Sequence, residues 1–463
     1  MLLAVRSVRA HSRALDGLVS TVHRLRPVRT QWQDGLLVVD NIPTWVAQLE
    51  LSDGGRLAGV RTHRSPEYRQ ARILVRIHGQ PIGFLNLSVP PEGLTLQTAV
   101  SEAQLQLPDR IRGHLAEDGV DLPDVPLSQL TGRPVECRDR AVPEASPPFS
   151  VVVSTRDRPA ALANCLRSLG QLRHVVFEVV VVDNAPSDDE ARRTFDRVVG
   201  GDERFRYVCE PLQGVSRARN RGLHMALFDH VAFTDDDVVV DNDWLRALAR
   251  GFIRGPDVVC VTGLVAAGSL DNAAERYFDR ALTWSAHLWP CRYDAATRRS
   301  PHFPFDAGRF GTGANFAVDR AASVAIGGFD DALGAGTPTC GGEDLDMFVR
   351  LLRGGGVLAY EPSAVVWHFH RAAPDELRRQ MRGYGVGFGA FVFKQLREKE
   401  LRRNFFRQLP LRIWERARNW FRHVSSEENV GQFVAAEVWG LIRGPFIYCR
   451  SQRTAERMRA ISK

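Results

Sequence analysis

Long apolar runs are missing from this chain. No uninterrupted stretch in its 463 residues reaches the roughly 18 to 20 apolar positions that a membrane-spanning helix needs. Paired cysteines are missing too. The seven present are scattered, none forms a CxxC pair, and the total is odd, which argues against a disulfide framework or a zinc site and points to a reducing compartment. Lysine is nearly absent: of 61 basic residues only Lys394, Lys399 and Lys463 are lysines. What remains is ordinary globular material, 44% hydrophobic and 25% charged, and too long for one core, so two or three domains are expected.

The net charge of +7 is unevenly spread. Residues from Arg371 onward carry 20 Lys+Arg against 9 Asp+Glu, and the first thirty hold six Arg and one Asp. The body between them is therefore acidic, at −9. A sequence pI near 9.2 suggests a nucleic-acid binder, but the basic residues sit at the two ends and no recognition motif accompanies them, so no nucleic-acid partner is expected.

Residues 1–30 place Leu2, Val5, Val8, Leu15, Leu18, Val19, Val22 and Leu25 at roughly helical spacing among arginines. Such a basic amphipathic arm suits a membrane surface, an organellar transit peptide or a plain docking helix. Residues 31–142 read as a β-rich accessory domain. Its strand candidates are Gly35–Asp40, Ala71–His78 and Pro81–Val89, with turns at Ser52–Gly55 and Gly79–Gln80. Residues 143–148, rich in proline, form a stiff linker.

The pattern then changes to alternating strands and helices, which argues a mostly parallel sheet. Strands are predicted at Phe149–Ser154, Glu178–Asp183 and Phe205–Val208, and helices from Pro159 and Gly214. A further apolar strand, from His230, runs into Asp235, Asp236 and Asp237 before resuming as Val238–Val240. Three adjacent carboxylates repel one another and are costly to bury unpaired. At a strand end they make sense beside a hard divalent cation, or else as a solvated acidic turn. In open sheets of this kind ligands bind beyond the carboxyl ends of the strands. Thr155, Asp183 and Asp235 to Asp237 all fall at such ends, so one site collects them.

These pieces, in this order, resemble the family-two glycosyltransferases with the GT-A fold. The resemblance spans about Phe149 to His370. It rests on the Val-Val-Val-Ser-Thr-Arg-Asp-Arg-Pro opening, Val-Val-Asp-Asn, Gly-Val-Ser-Arg-Ala-Arg-Asn-Arg-Gly, the Asp-Asp-Asp cluster, Gly-Gly-Glu-Asp-Leu-Asp-Met and Val-Val-Trp-His-Phe-His. It implies an α/β catalytic domain over 149–373 that moves a sugar from a nucleotide diphosphate donor to a hydroxyl of a glycan or lipid-linked acceptor, usually with inversion. Under it, Thr155, Arg156, Asp183, Arg219, Asn220, Asp235 and Asp236 line the nucleotide. Asp237, with Asp235 and His368, holds Mn²⁺ or Mg²⁺; His370, across Phe369, competes with His368 for that role. Asp344 is the base that takes the acceptor proton, and Glu343 positions the acceptor. Structural alternatives remain open: a helix N-cap for Asp183, a surface charge for Arg219, a packed histidine at 368, and an N-terminal helix acid at Asp344.

Residues 374–463 are expected to form a basic helical extension. Its first helix is broken by Gly383, Gly385, Gly387 and Gly389, and aromatic residues follow at Trp414, Trp420, Phe421, Trp439 and Tyr448. They either pack on the catalytic domain or rest on anionic lipid as a peripheral membrane contact. The expected location is cytoplasmic, peripheral at the inner face of the membrane. Two rival functions stay in view. Asp235 and Asp237 satisfy the DxD pattern of haloacid dehalogenase-type phosphatases, though their downstream lysine has no counterpart before Lys394. The other rival is a catalytically inactive sugar-nucleotide binder.

Overall fold

The computed structural model describes residues 42–52, 54–61, 67–118, 146–174, 176–281, 287–300, 303–369, 374–399, 401–403 and 430–461. The basic arm at 1–30, the strand expected at 35–40, linker residues 143–145, His370, Trp414, Trp420 and Phe421 lie outside them. The described residues belong to one compact unit.

Two sheets organise it. The small one takes strands β1 (Thr44–Glu50), β2 (Arg56–Gly59), β3 (Gln70–Ile77) and β4 (Gln80–Ser88) in the order β2-β1-β3-β4. β3 and β4 form the hairpin expected around Gly79. Two helices, α1 (Leu96–Gln106) and α2 (Pro108–Glu117), cover one face. The sequence reading, tuned to period-two alternation, passed over them. Their signals are an N-cap at Thr95, whose side chain accepts from Thr98 N at 3.1 Å, and buried pairs four apart, Ala99/Ala103 and Ile111/Leu115.

The large sheet is built from β5 (Phe149–Thr155), β6 (Phe177–Asn184), β7 (Phe205–Glu210), β8 (His230–Asp235), β9 (Val238–Val240), β10 (Val258–Ala267), β11 (Cys291–Tyr293), β12 (Asn315–Asp319) and β13 (Val357–His368). The order is β11-β13-β10-β12-β8-β5-β6-β7, with β9 pairing β13. The β5–β8 half is parallel, and β12 enters antiparallel between β8 and β10. Valine runs are the expected sequence of strands covered on both faces. Their alternation sends Val151, Val153, Val179 and Val181 into one core with Leu162, Leu166 and Trp244, and Val152, Val180 and Val182 into the other with Leu223, Phe316 and Phe348.

The first core is roofed by α3 (Pro159–Gly170), α4 (Glu190–Val199) and α6 (Trp244–Ile253), and the second by α5 (Val215–Met225) and α10 (Glu343–Arg353). Between α6 and α10 the chain also forms the short helices α7 (Ala273–Ala281), α8 (Ala295–Arg299) and α9 (Arg320–Ala325). Helix α5 presses so close that a Cβ on Gly222 would lie 2.3 Å from a Val152 methyl.

The C-terminal extension contributes α11 (Pro374–Leu396) and α12 (Val430–Ile461). The four glycines of α11 do not interrupt it. Two of them let other backbones approach: a Cβ at Gly387 would sit 2.7 Å from Gly341 C, and one at Gly389 2.4 Å from Leu441 O. Tertiary packing thus outweighs glycine's low helix propensity. Among the described residues no helix is long and apolar enough to cross a membrane.

Candidate active site

The register sets the site. Thr155 pairs with Asp183, and Ser154 with Asp235, so three strand ends are level along the carboxyl edge of the sheet. Asp183 is fully buried. The Tyr207 hydroxyl donates to its Oδ2, while its Oδ1 has no hydrogen-bond partner among the described residues. Burial raises its carboxyl pKa, against the pull of that hydrogen bond. A buried acceptor left open at a strand end suits a ligand N–H. Asn184 beside it accepts from Gly214 N at 2.8 Å and donates to Leu212 O at 2.8 Å, which anchors the start of α5.

Asp236 accepts from the Thr155 hydroxyl at 2.8 Å and from Arg158 Nη1 at 2.6 Å. Arg158 Nη2 donates to Asp237 Oδ2 at 2.7 Å. Burial pushes Asp236 up to about 7, with Arg158 opposing. Asp237 moves the other way: burial alone would raise it, but His368 and Arg158 together hold it well below the usual carboxylate range. His368 Nε2 stands 3.3 Å from Asp237 Oδ1. Although burial disfavours the imidazolium, the Asp237 charge raises the His368 pKa overall. Ligand atoms of Asp235, Asp237 and His368 all lie within 4.8 Å of one another. Two carboxylates and one imidazole make a donor set that fits Mn²⁺, and Mg²⁺ through the carboxylates.

The second acidic pair opens α10, where Gly342 (φ 88°) turns the chain and a side chain at that position would be strained. Asp344 accepts from Gly313 N at 2.7 Å through Oδ2 and from Leu345 N at 2.8 Å through Oδ1, so its carboxylate is fixed in orientation. Glu343 accepts from Arg219 Nη1 at 2.8 Å, and its Oε2 has no partner among the described residues. Burial first, then repulsion from Asp344, pushes Glu343 up to about 7, with Arg219 opposing.

Arg219 joins the two clusters. Only 3% exposed, it donates through Nη2 to Asp235 Oδ1 at 2.9 Å and to Gly313 O at 3.0 Å while Nη1 holds Glu343. Acid groups more than a hundred residues apart therefore share one guanidinium. Gly313 is the close approach that permits this, since a Cβ there would lie 2.9 Å from Arg219 Nη2 and 3.2 Å from Asp344 Oδ2.

Thr155, Asp183, Arg219, Asp235, Asp236, Asp237, Glu343, Asp344 and His368 are thus gathered along one edge. One expected residue is occupied elsewhere. Asn220 is spent on the loop that follows α9, donating to Phe329 O at 2.9 Å and Asp331 Oδ1 at 3.0 Å and accepting from Phe329 N at 2.8 Å. Arg156 lies on the loop after β5, 3.4 Å from Asp157. Sequence reasoning missed Arg158 and Tyr384. Arg158 was visible in the Thr-Arg-Asp-Arg-Pro motif, three places after Thr155. Tyr384 was not: it comes from α11, where burial raises its phenol pKa and the charges of Asp237, Asp235 and Asp344 add to the shift. Lys394, the first lysine of the chain, pairs with Asp330 at 2.6 Å and Asp346 at 2.9 Å, away from the DxD carboxylates. Lys394 is therefore not the phosphate lysine that a haloacid dehalogenase-type phosphatase would need.

Comparison with known proteins accords with this arrangement. The chain is 29% identical over 223 residues to the pre-mycofactocin glycosyltransferase of Mycobacterium tuberculosis, an overlap of 48% of this chain and 43% of that one. It is 23% identical over 308 residues to the inactive polypeptide N-acetylgalactosaminyltransferase-like protein 5 of Mus musculus, covering 64% of this chain and 69% of that protein. The chain thus spans less than half the length of its mycobacterial relative. Among solved structures, a mannosyltransferase from Pyrobaculum calidifontis in complex with GDP-Man and Mn²⁺ aligns with a TM-score of 0.43 at 17% identity, over 78% of this chain and 85% of that one. The profile of the family described as glycosyltransferase-like family 2 matches residues 147–385. That stretch is more than half of the chain and contains the mixed, largely parallel sheet with both acidic clusters, and the chain belongs to this glycosyltransferase-like family 2.

Proposed function

We propose that this protein transfers a sugar from a nucleotide diphosphate donor to a hydroxyl of a glycan or lipid-linked acceptor, with inversion and with the help of Mn²⁺ or Mg²⁺. The observation that supports the reading is the bridge made by Arg219, 2.9 Å from Asp235 and 2.8 Å from Glu343, which joins the two acidic clusters. Asp235, Asp237 and His368 would hold the ion, and a divalent ion there stabilises charge developing on the departing diphosphate. The open Oδ1 of Asp183 would take a base N–H. Thr155 and Asp236 would border the ribose, and Arg156, Arg158 and Arg219 the rest of the nucleotide side. Asp344 would accept the acceptor's proton, and its two backbone hydrogen bonds orient it for that. Glu343 would position the acceptor hydroxyl.

The proposal extends to organisation and place. Residues 31–142 would serve as an accessory module, 143–148 as its linker, 149–373 as the catalytic part and 374–463 as a helical extension. On α12, Trp439 (54%), Ile442 (58%) and Phe446 (78%) are exposed at helical spacing, with Arg443 5.7 Å over the Trp439 ring. An apolar stripe with a cation beside it suits peripheral contact with anionic lipid at the inner face of the cytoplasmic membrane.

Asp344→Asn tests the core of the reading. Nucleotide binding measured by calorimetry in Mn²⁺ is expected to stay within about twofold of wild type, while sugar transfer falls by the ~10²- to 10⁴-fold that general base catalysis supplies. A variant that transfers at the wild-type rate refutes the assignment of the base. The anomeric configuration of the product, read by NMR, separates inversion from retention.

A further inference from the structure

We propose that His78, His114 and Asp118 form a second cation site, on the small sheet, that takes a divalent transition ion of the zinc class. His78 occupies the tight turn between β3 and β4. His114 lies on the last turn of α2, and Asp118 immediately follows that helix, so their spacing of four puts both on one face. Donor atoms of the three lie within 4.8 Å of one another. His78 Nδ1 is 3.0 Å from Asp118 Oδ2, and His114 Nε2 is 3.4 Å from the same oxygen. Tetrahedral zinc, with bonds of ~2.0 to 2.2 Å, spaces its ligand atoms about 3.3 Å apart, so little movement is needed to admit the ion.

The surroundings favour an ion as well. The three side chains are only 8%, 10% and 4% exposed, which limits competition from bulk water. The two imidazoles do not stack: their rings are 5.6 Å apart and tilted by 43°. Their nitrogens converge on the carboxylate instead. His78 is held in the left-handed region, at φ 53°, which is uncommon for a residue other than glycine. Glu50 fixes that backbone by accepting from His78 N and Gly79 N, each at 3.0 Å. Support of this kind around a ligand sets its direction before the ion arrives. Two imidazoles and one carboxylate suit zinc better than magnesium, which prefers oxygen donors alone. No cysteine takes part, so cysteine spacing gave no sign of the site.

A bound ion would tie the β3–β4 turn to the end of α2, clamping the small sheet to its covering helix. The test uses the full-length chain carrying Asp237→Asn, which weakens the acidic cleft as a competing site. After removal of metal with EDTA, ZnCl₂ is titrated calorimetrically, and CoCl₂ binding is followed by visible absorption. One equivalent is expected, insensitive to millimolar Mg²⁺. Adding Asp118→Asn removes a ligand and is expected to weaken zinc by at least ~100-fold, more than the ~10- to 100-fold that changes behind a ligand cost. His114→Gln serves as an independent second variant, and circular dichroism verifies that each remains folded. The proposal is overturned if the Asp237→Asn protein takes up no zinc, or if folded Asp118→Asn or His114→Gln variants bind it as tightly as their parent.

Discussion

Replacing Arg219 with methionine keeps the length and apolar stem of the side chain and removes the charge on which both acidic clusters depend. Breaking a buried ion pair from one side costs about 3 to 5 kcal/mol, because the remaining carboxylate is left uncompensated. Here two carboxylates, Asp235 and Glu343, lose the same partner. The penalty also depends on pH. Glu343 is raised from an ordinary 4.5 to about 7, so the folded state holds its proton more tightly than the unfolded chain does. Stability from this group is therefore greatest below about 4.5, falls as pH climbs, and is fully lost above about 7, a change on the order of 3 kcal/mol. Without Arg219, which opposes that rise, the falling limb extends to higher pH.

Urea unfolding of wild type and Arg219→Met, followed by tryptophan fluorescence in EDTA at pH 5.5, 6.5, 7.5 and 8.5, measures both effects. The deficit of the variant is expected to be smaller at pH 5.5, where Glu343 keeps its proton, and to grow toward about 3 to 5 kcal/mol at pH 8.5. A deficit that stays constant with pH, or a variant as stable as wild type at pH 8.5, refutes the claim that Arg219 holds two buried acids.

Other expectations follow from single contacts. Asp237→Asn removes a ligand and the partner of both His368 and Arg158, so activity should vanish and added Mn²⁺ should no longer raise the melting temperature; an unchanged Mn²⁺ response counts against the metal assignment. Gly222→Ala places a methyl 2.3 Å from Val152 and should destabilise by the ~1 to 3 kcal/mol typical of overpacking, read by urea titration. Asp183→Asn should weaken nucleotide binding by roughly tenfold or more, since the open oxygen becomes one end of an amide; equal affinity by calorimetry would show that no ligand N–H uses it. Trp439→Ser with Phe446→Ser should release the protein from anionic vesicles in a flotation assay, and wild type that never floats with them ends the membrane reading.

The sheet was legible because its residues answer to a strict period. Valines alternating between two covered faces, and acids where those strands stop, place Thr155, Asp183 and Asp235 together before any coordinates are seen. The helices of the small sheet were not legible, because Ala99, Ala103, Ile111 and Leu115 form short stripes in otherwise polar segments. The glycines of α11 misled for a related reason: local propensity favoured a break, while Gly341 and Leu441, distant in sequence, supply the packing that keeps the helix whole. Tyr384 and the double role of Arg219 depend on chain crossings that no spacing rule encodes. Arg158 is different. It stood within a motif already quoted, and a charge count around Asp236 and Asp237 would have singled it out.

The small sheet bears on the proposed metal site through its packing. Arg76 of β3 meets Asp241 at 2.6 Å, one residue past β9, and Val46 and Leu74 pack against Val365 and Trp367 of β13. β9 starts just after Asp237, and β13 ends at His368. The module therefore buttresses, from behind, the two strands whose tips carry a proposed pair of metal ligands. Loosening that buttress, by Arg76→Ala for instance, would let those tips drift relative to each other. Lesions at this seam should accordingly appear as weakened Mn²⁺ affinity before they appear as unfolding.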